Sequence, residues 1–393
     1  MSFKSVVPIL VTGMLITGCA NSLLTKWQDN MCVANCEPGE KLPARYFEQP
    51  VWQTLNMFVG EMLSITPRLL ARHICQIFPA KRAQPLLIEE DESAEESPKD
   101  HAIPLTGWNV CWFWIPALCD LTATTPYSGL DISNDARALV LWVGVLSVIL
   151  LRTRLFAFQW FSLVTVMFGV GLVGLSGSLI RSSDETGVVA NAADADPELI
   201  MGMSLVLLAQ LFAATQFVIE DKIMKTYSVE AMLAVGWEGF FGTFTILLAL
   251  PVIAYFPSIP LTIIPPSSEL TSPVLLASFL IMFSIASFNY FGLSVTRSIS
   301  ATARSTIDTC RTLGIWIGSV MLGWEKIKWP GSVPQFIGFG LLVYGTFLFN
   351  GLVSPPSFMR TTQPAETPLI GPATTIAILS RALVFRKERG APF

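Results

Sequence analysis

The chain has 393 residues, of which 52% are apolar and only 14% are charged, and its formal net charge is -4. Soluble domains carry roughly 25% charged residues, and nucleic-acid-binding domains concentrate basic residues on one face. The composition therefore excludes an ordinary soluble domain and disfavours a nucleic-acid-binding protein. It is typical of a protein that crosses a membrane several times.

Ten apolar runs are candidates for membrane-spanning helices, because most of them approach the roughly 20 residues that a helix needs to cross a bilayer. They lie at Val6–Leu24, Val51–Leu70, Asn109–Thr125, Ala138–Leu151, Phe156–Ile180, Leu199–Ile219, Ala231–Phe256, Pro273–Val295, Ile299–Gly323 and Val333–Val353. The third and fourth runs are short, and the ninth contains Arg304, Asp308 and Arg311. The sequence predicts an all-α polytopic membrane protein with about ten transmembrane helices.

The first run has two interpretations. Ile16-Thr17-Gly18-Cys19 resembles a lipoprotein cleavage site, which is typical of a secretory signal. The run is nevertheless long, begins after a single lysine, and continues into Lys26-Trp27. These features favour a membrane span over a cleaved signal.

Lys and Arg residues predict the orientation, because cytosolic loops carry an excess of them. With the N-terminus in the cytosol, 17 of these residues lie on the cytosolic side and 7 on the other. Both termini are therefore predicted to be cytosolic. Residues 76–105, which contain the acidic run Glu89–Glu96, are predicted to form a disordered cytosolic loop, and residues 354–393 a flexible cytosolic tail.

Two glutamates occupy matching apolar segments, one in each half of the chain. Glu61 and Glu238 are 177 positions apart. A carboxylate inside an apolar span is costly, and ionisable residues at such positions usually have a function. The repetition therefore makes both glutamates candidate site residues.

Other residues recur at nearly the same offset. The aligned pairs are Arg137 with Arg311, Trp142 with Trp316 and Gly144 with Gly318 at an offset of 174, and Gln159 with Gln335 and Gly169 with Gly345 at 176. Each half then holds five spans, and an odd number inserts the second half upside down. We predict two inverted repeats, residues 5–180 and 199–353, an arrangement typical of secondary transporters with a site near the midplane.

The first half departs from this symmetry at its third and fourth spans. Asn289 and Arg311 are 22 positions apart, whereas the corresponding Asp120 and Arg137 are only 17 apart. The intervening segment Pro126–Asp135 is polar and turn-forming. Either this hairpin is distorted, or the sequence reflects a mis-spliced gene model.

Several motifs resemble those of the drug/metabolite transporter superfamily. The motifs are Pro116–Asp120, Glu238–Gly242 and Leu322–Glu325, with Lys26-Trp27, Gly60-Glu61 and the long run Gly292–Arg304. Together they resemble solute carrier family 35, group F, of the member-six type. The similarity covers roughly residues 5–355.

The resemblance implies two five-helix EamA-type repeats in an endomembrane protein of the Golgi, vacuole or lysosome, with the mitochondrion as an alternative. Relatives in family 35 exchange nucleotide sugars for nucleotide monophosphates. The resemblance leaves a homodimer open. No cofactor is expected.

The candidate binding residues are Glu61, Glu238, Asp120, Asn289 and Arg311. The two glutamates could bind a cation, a coupling proton or a polar substrate group, or they could be structural. Asp120 and Arg311 could line an aqueous cavity for an anionic substrate, since Arg suits phosphate groups. Further residues that could join them are Lys26, Lys222, Arg304 and Asp308, although the two lysines could instead extend to the membrane interface.

Other site classes find little support. Gly169–Gly174 matches G-x-G-x-x-G, but it lies within a span, where glycines allow close helix packing. Gly338 and Gly340 are predicted to have the same packing role. His73 and His101 offer no recognisable metal-ligand spacing. Cys32 and Cys36 could form a disulfide if their side of the membrane is oxidising, and the sequence leaves that open.

The sequence therefore favours a secondary transporter, not an enzyme, that moves a small polar or anionic metabolite by alternating access. The alternative is a membrane scaffold or regulatory protein that keeps the transporter fold without transporting. An intramembrane enzyme is disfavoured, because the sequence contains no recognisable catalytic constellation.

Overall fold

The computed structural model describes residues 6–36, 44–47, 49–66, 105, 107–124, 139–182, 197–255, 265–266, 269–325, 327 and 332–355. Most of these residues are helical. The helices are α1 (Val7–Asp29), α2 (Pro50–Leu63), α3 (Trp114–Thr124), α4 (Leu139–Leu150), α5 (Ala157–Ser182), α6 (Pro197–Thr226), α7 (Ala231–Tyr255), α8 (Ser272–Ser298), α9 (Ala301–Thr309), α10 (Arg311–Met321) and α11 (Val333–Phe349). A 3₁₀ helix, Gly107–Phe113, leads into α3.

Some sequence-based predictions concern residues outside the described ranges. Arg137, the turn-forming segment 126–135, most of the loop 76–105 and the tail beyond Pro355 belong to this group. The structure therefore leaves the distortion of the hairpin between α3 and α4 as a prediction.

Within the part of the chain that the structure describes, four helices are long and apolar enough to cross a membrane. They are α1, the part of α5 from Ala157 to Gly174, the part of α7 from Ala231 to Pro251, and α8. Two shorter helices, α4 and α11, are also apolar. The protein is thus an all-α membrane protein, while ten spans and an inverted repeat remain predictions.

The predicted ninth span is two helices, α9 and α10, that meet at Cys310. The hydroxyls of Ser305, Thr306 and Thr309 each donate to the carbonyl oxygen three residues earlier. Side-chain bonds of this kind compete with the regular backbone pattern and bend helices. The run of hydroxyl residues therefore accounts for the interruption that the apolar pattern did not predict.

The first helix packs along α8 inside the bundle. A Cβ at Gly13 would lie 2.8 Å from the ring of Phe291, and one at Gly18 would lie 2.9 Å from the ring of Phe288. Both glycines thus let aromatic rings of α8 reach the backbone of α1. This packing supports the interpretation of the first run as a membrane helix.

A short loop with two strands follows α1. Its strands β1 (Cys32–Ala34) and β2 (Arg45–Tyr46) pair in an antiparallel arrangement. Cys32 and Cys36 form a disulfide, which resolves the alternative that the sequence left open.

The helix contacts follow a regular scheme. The helix α1 packs on α8 and α3 packs on α6, while α2 packs on α7 and α5 on α11. Weaker contacts join α2 to α8 and α3 to α7, and likewise α4 to α6 and α1 to α10. Each helix in one half of the chain therefore has its main partners in the other half.

Glycines set the distance between α5 and α11. A Cβ at Gly338 would lie 2.6 Å from the Gly169 carbonyl oxygen, and one at Gly169 would lie 2.7 Å from the Gly338 carbonyl oxygen. The packing role predicted for these two residues is confirmed. For Gly340 the prediction is wrong, because nothing lies within 4 Å of its would-be Cβ. Gly340 lies two residues beyond Gly338 and therefore faces away from the crossing, since an α-helix has 3.6 residues per turn.

We expect Gly338→Ala to lower the thermal stability of the protein in detergent, and Gly340→Ala to leave it unchanged or raise it. Overpacking at position 338 should cost about 1–3 kcal/mol, whereas position 340 has room for a methyl group. Thermal unfolding followed by tryptophan fluorescence measures both. Equal effects of the two substitutions would contradict this assignment of the crossing.

Candidate functional site

The helices α2 and α7 cross at the two matching glutamates. A Cβ at Gly239 would lie 2.6 Å from the Cβ of Glu61, so the two backbones meet there. On the other side of α2, a Cβ at Gly60 would collide with the carbonyl oxygen of Met282 on α8. The glycine beside each glutamate thus lets a neighbouring helix approach, and the crossing brings Glu61 and Glu238 together.

Both glutamates are buried and hydrogen-bonded to amides from other helices. Glu61 is 1% exposed, and Asn289 Nδ2 on α8 donates to its Oε1. Glu238 is 4% exposed, and Gln216 Nε2 on α6 donates to its Oε1 over 2.9 Å. Asp120 on α3 is half-buried and lies within hydrogen-bonding reach of Gln216. Four of the five predicted site residues therefore lie in one cluster.

An ion pair lies beside them, formed by Arg304, which the sequence analysis considered for the site, and Glu220, which it did not. Arg304 Nη1 on α9 contacts Glu220 Oε2 on α6, and both side chains are only 1% exposed. The Arg304 guanidinium lies 4.1 Å from the ring centroid of Phe217. A Cβ at Gly292 would lie 2.8 Å from Arg304 Nε, so the backbone of α8 closes the other side. Arg304 is thus enclosed by three helices.

Two polar residues of this part of the site, Gln216 and Glu220, share one face of α6. Gln216 and Glu220 are four residues apart, so they lie on one face of the helix, one above the other. Each bonds to a different charged group of the cluster, Glu238 and Arg304 respectively. Gln216 lies inside the apolar run Leu199–Ile219, so a search for polar residues within the runs would have found it, whereas Glu220 lies one position beyond the run.

Acidic groups outnumber basic ones in the cluster. The carboxyl groups of Glu61, Asp120, Glu220 and Glu238 lie near enough to influence one another, and Arg304 is the basic residue beside them. Glu61 Oε2 is buried and has no hydrogen-bond partner among the residues that the structure describes. We call the four carboxylates, together with Arg304, Gln216 and Asn289, the acidic cluster.

The fifth predicted residue, Arg311, has a different set of neighbours. Its Nε lies 3.3 Å from Asp308 Oδ1, and its guanidinium lies 4.9 Å from the ring centroid of Phe288. A Cβ at Gly18 would lie 2.7 Å from Arg311 Cδ. Arg311 therefore lies between α10, α1 and α8, where its charge is paired with Asp308.

The two lysines considered for the site also lie outside the acidic cluster. Lys26 Nζ lies 5.6 Å from the ring centroid of Trp324, beyond the end of α10. Lys222 is exposed. Lys26 thereby joins two of the motifs, Lys26-Trp27 and Leu322–Glu325, that resemble the transporter family.

A second polar network joins α1, α2 and α8 at the end near the disulfide. Gln28 Nε2 donates to Ser278 Oγ over 2.8 Å, and Gln53 Nε2 donates to Gln28 Oε1 and Asp29 Oδ1. Trp52 Nε1 also donates to Ser278 Oγ. Nearby, the buried Glu269 accepts from Gln49 and pairs with Arg45 of β2. These bonds connect the two halves of the chain at that end.

A buried polar cluster inside an apolar helical bundle is typical of membrane proteins that move solutes or ions. Solute carrier family 35 member F6 is 31% identical to this chain in Homo sapiens and in Mus musculus, over 360 residues that cover 87% of this chain and 88% of each relative. An uncharacterized protein of Schizosaccharomyces pombe is 30% identical over 360 residues, covering 97% of that protein. The chain belongs to the group F of solute carrier family 35, whose members are transporter-like membrane proteins.

Two further comparisons add nothing to this assignment. No protein-family model matches the chain. A solved crystal structure superposes with a TM-score of 0.48 and 14% identity, over 88% of this chain and 97% of the other. That likeness is too low to carry an inference about fold or function.

We expect Arg304→Met and Glu220→Gln each to destabilise the protein by about 3–5 kcal/mol, because each leaves a buried charge without its partner. The double variant should lose less than the sum of the two, since no unpaired charge remains from this ion pair. Thermal unfolding of the single and double variants in detergent measures the coupling. Lys222→Met, which removes an exposed cation from the same helix, serves as the control and should change stability by less than about 0.5 kcal/mol.

If the double variant lost as much stability as the two single variants together, Arg304 and Glu220 would not be energetically coupled.

Proposed function

We propose that the protein is a secondary transporter that moves a small polar metabolite across an endomembrane by alternating access. The observation that carries the proposal is the acidic cluster, in which carboxylates from both halves of the chain meet in the interior. Glu61 contributes an oxygen there that has no hydrogen-bond partner in the described part of the chain. Buried, incompletely paired acids are costly, and membrane proteins keep them mainly at substrate and ion sites.

The helix contacts support an arrangement of two related halves. If α1 to α5 correspond to α6, α7, α8, α9–α10 and α11, the contact between α1 and α8 exchanges with that between α6 and α3. The contacts α2–α7 and α5–α11 map onto themselves. The same exchange relates α2–α8 to α7–α3. A pseudo-two-fold relation of this kind is a property of transporters with inverted repeats.

The composition of the acidic cluster supports the same relation. Asn289 and Asp120 correspond in the two halves, as Glu61 and Glu238 do. Asn289 on α8 donates to Glu61 on α2, so this hydrogen bond joins the two halves, and a movement of one half against the other would alter it.

The polar network at the disulfide end supports alternating access. Gln28 on α1 and Trp52 on α2 bond to Ser278 on α8, and Gln53 on α2 bonds to Gln28 and Asp29 on α1. These bonds close the bundle at that end, and each joins two neutral groups or one charged group to a neutral one. Such bonds contribute about 1 kcal/mol each and exchange readily with bonds to water. We propose that this network is a gate that opens when the site faces the opposite compartment.

The orientation is proposed on two grounds. The excess of Lys and Arg places both termini in the cytosol. The disulfide between Cys32 and Cys36 agrees with this, because α1 would then lead from the cytosol to a loop on the oxidising side. A location in the Golgi, vacuole or lysosome is proposed from the family.

The alternative function is a scaffold that keeps the fold without transport. The enclosed Arg304–Glu220 ion pair would suit that function equally well, because it joins helices. The incomplete bonding of Glu61 distinguishes the two, since a purely structural acid would be expected to have both oxygens paired.

We expect Glu61→Gln and Glu238→Gln to abolish transport while they raise the thermal stability of the protein. Each glutamine keeps the acceptor oxygen for Asn289 or Gln216 and removes a buried charge, which should stabilise the fold by about 1 kcal/mol or more. Uptake of radiolabelled metabolites into proteoliposomes and thermal unfolding in detergent provide the two measurements.

Glu325→Gln is the matched control, because that glutamate is exposed and lies outside the acidic cluster. It should keep both transport and stability. A scaffold would instead show no uptake of any metabolite by the wild type. Loss of stability in both Gln variants would indicate a structural role for the acids.

A further inference from the structure

Acidic groups outnumber basic ones in the acidic cluster. Glu61, Asp120, Glu220 and Glu238 supply four carboxyl groups, and Arg304, paired with Glu220, is the cation of the cluster. A buried carboxyl group without an opposing charge is disfavoured in its ionised form, so it either holds a proton or binds a cation. A positively charged ligand can take the place of such protons, whereas an anionic ligand would bring a further negative charge.

Arg304 already has an anionic partner. Its Nη1 is paired with Glu220, its guanidinium lies on the ring of Phe217, and the backbone at Gly292 lies close to its Nε, which has no hydrogen-bond partner among the described residues. An anion that took the place of Glu220 would leave that carboxylate buried without a partner. The other basic residues considered for the site lie elsewhere, since Arg311 is paired with Asp308.

Glu61 itself shows what kind of group is missing. One carboxylate oxygen accepts from Asn289, while Oε2 has no partner among the described residues, although the side chain is 1% exposed. An ionised carboxylate oxygen accepts a hydrogen bond or contacts a cation, whereas a protonated one donates. In its ionised form Glu61 can therefore take a hydrogen-bond donor or a positive charge at Oε2.

Aromatic residues are neighbours of Glu238 and Asn289 in the sequence of α7 and α8. Trp237 and Phe241 precede and follow Glu238 on α7, with ring centroids 6.2 Å apart, and Trp114 of α3 stacks on Phe241 at 5.7 Å. Tyr290, next to Asn289, packs with Trp237 and Phe241 on one apolar cluster. The faces of such rings attract ammonium groups, above all those carrying methyl groups.

We infer that the acidic cluster binds an organic cation, with its ammonium group between Glu61 and Glu238 and its apolar part toward Trp237 and Phe241. This inference rests on the proposed transport function and specifies its substrate class. It replaces the anionic, nucleotide-sugar-like cargo that the family resemblance implies. The ammonium group supplies the charge that the cluster lacks, and Glu61 Oε2 gains its partner.

The test uses choline as the probe, because its quaternary ammonium group stays charged and does not cross lipid unaided. Its carbon isostere, in which a tert-butyl group replaces the trimethylammonium group, has the same shape without the charge. Choline should raise the unfolding temperature of the full-length protein in detergent in proportion to its concentration. The isostere should not.

The variants connect this binding to the acidic cluster. Glu61→Gln and Glu238→Gln should weaken choline binding about tenfold or more, and Glu325→Gln should leave it unchanged. Thermal unfolding without ligand shows that each variant is folded. An equal shift from choline and its isostere, or an undiminished shift in both Gln variants, overturns the inference.

Uptake into proteoliposomes separates this inference from the proposed function. Uptake of radiolabelled choline that needs Glu61 supports both. A second outcome is uptake of uridine monophosphate or a uridine diphosphate sugar that needs Glu61, without a choline shift. It overturns the inference of a cationic substrate and supports the proposed transport function. A choline shift that needs Glu61, without uptake of any probe, supports the cation site and overturns transport.

Discussion

The free energy needed to hold ionisable groups away from water is the constraint on which this bundle depends. Arg304 and Glu220 would each be very costly alone, and they are tolerated because each offsets the charge of the other. Their pairing fixes α9 against α6. The hydroxyl-rich α9 is poorly suited to contact with lipid, so this position also hides its polar residues inside the protein.

Glycines beside the charged residues let a second helix approach each buried charged side chain. Gly60 and Gly239 flank the two glutamates, and Gly292 lies against Arg304. At each of these places a second backbone comes close enough to surround the charge with amide groups and rings. A carboxylate on one helix alone would face lipid or a loosely packed groove. The short distances between backbones are thus what makes the acidic cluster an interior site.

The repeat in the sequence predicted which acidic residues meet. The local sequence around each of them did not predict which other residues surround the acids. Glu61, Glu238, Asp120 and Asn289 were expected together because they recur in order, and the structure brings them into one cluster. Glu220 was not expected in the cluster. It stands next to Asp221 and Lys222, and only packing decides which of several adjacent charged residues joins the cluster. The break at Cys310 and the outward Gly340 likewise depend on neighbours that composition and spacing do not reveal.

The enclosure of Arg304 by α6, α8 and α9 limits how the bundle can deform. Sliding of α6 past α8 would strip the guanidinium from Phe217 or from the backbone at Gly292, and separation of α9 would break the ion pair. These contacts of Arg304 oppose sliding of α6, α8 and α9 against one another, but they do not oppose rotation of the three helices as a group. A large movement is therefore expected at the interfaces between this group of helices and α1, α2 and α3.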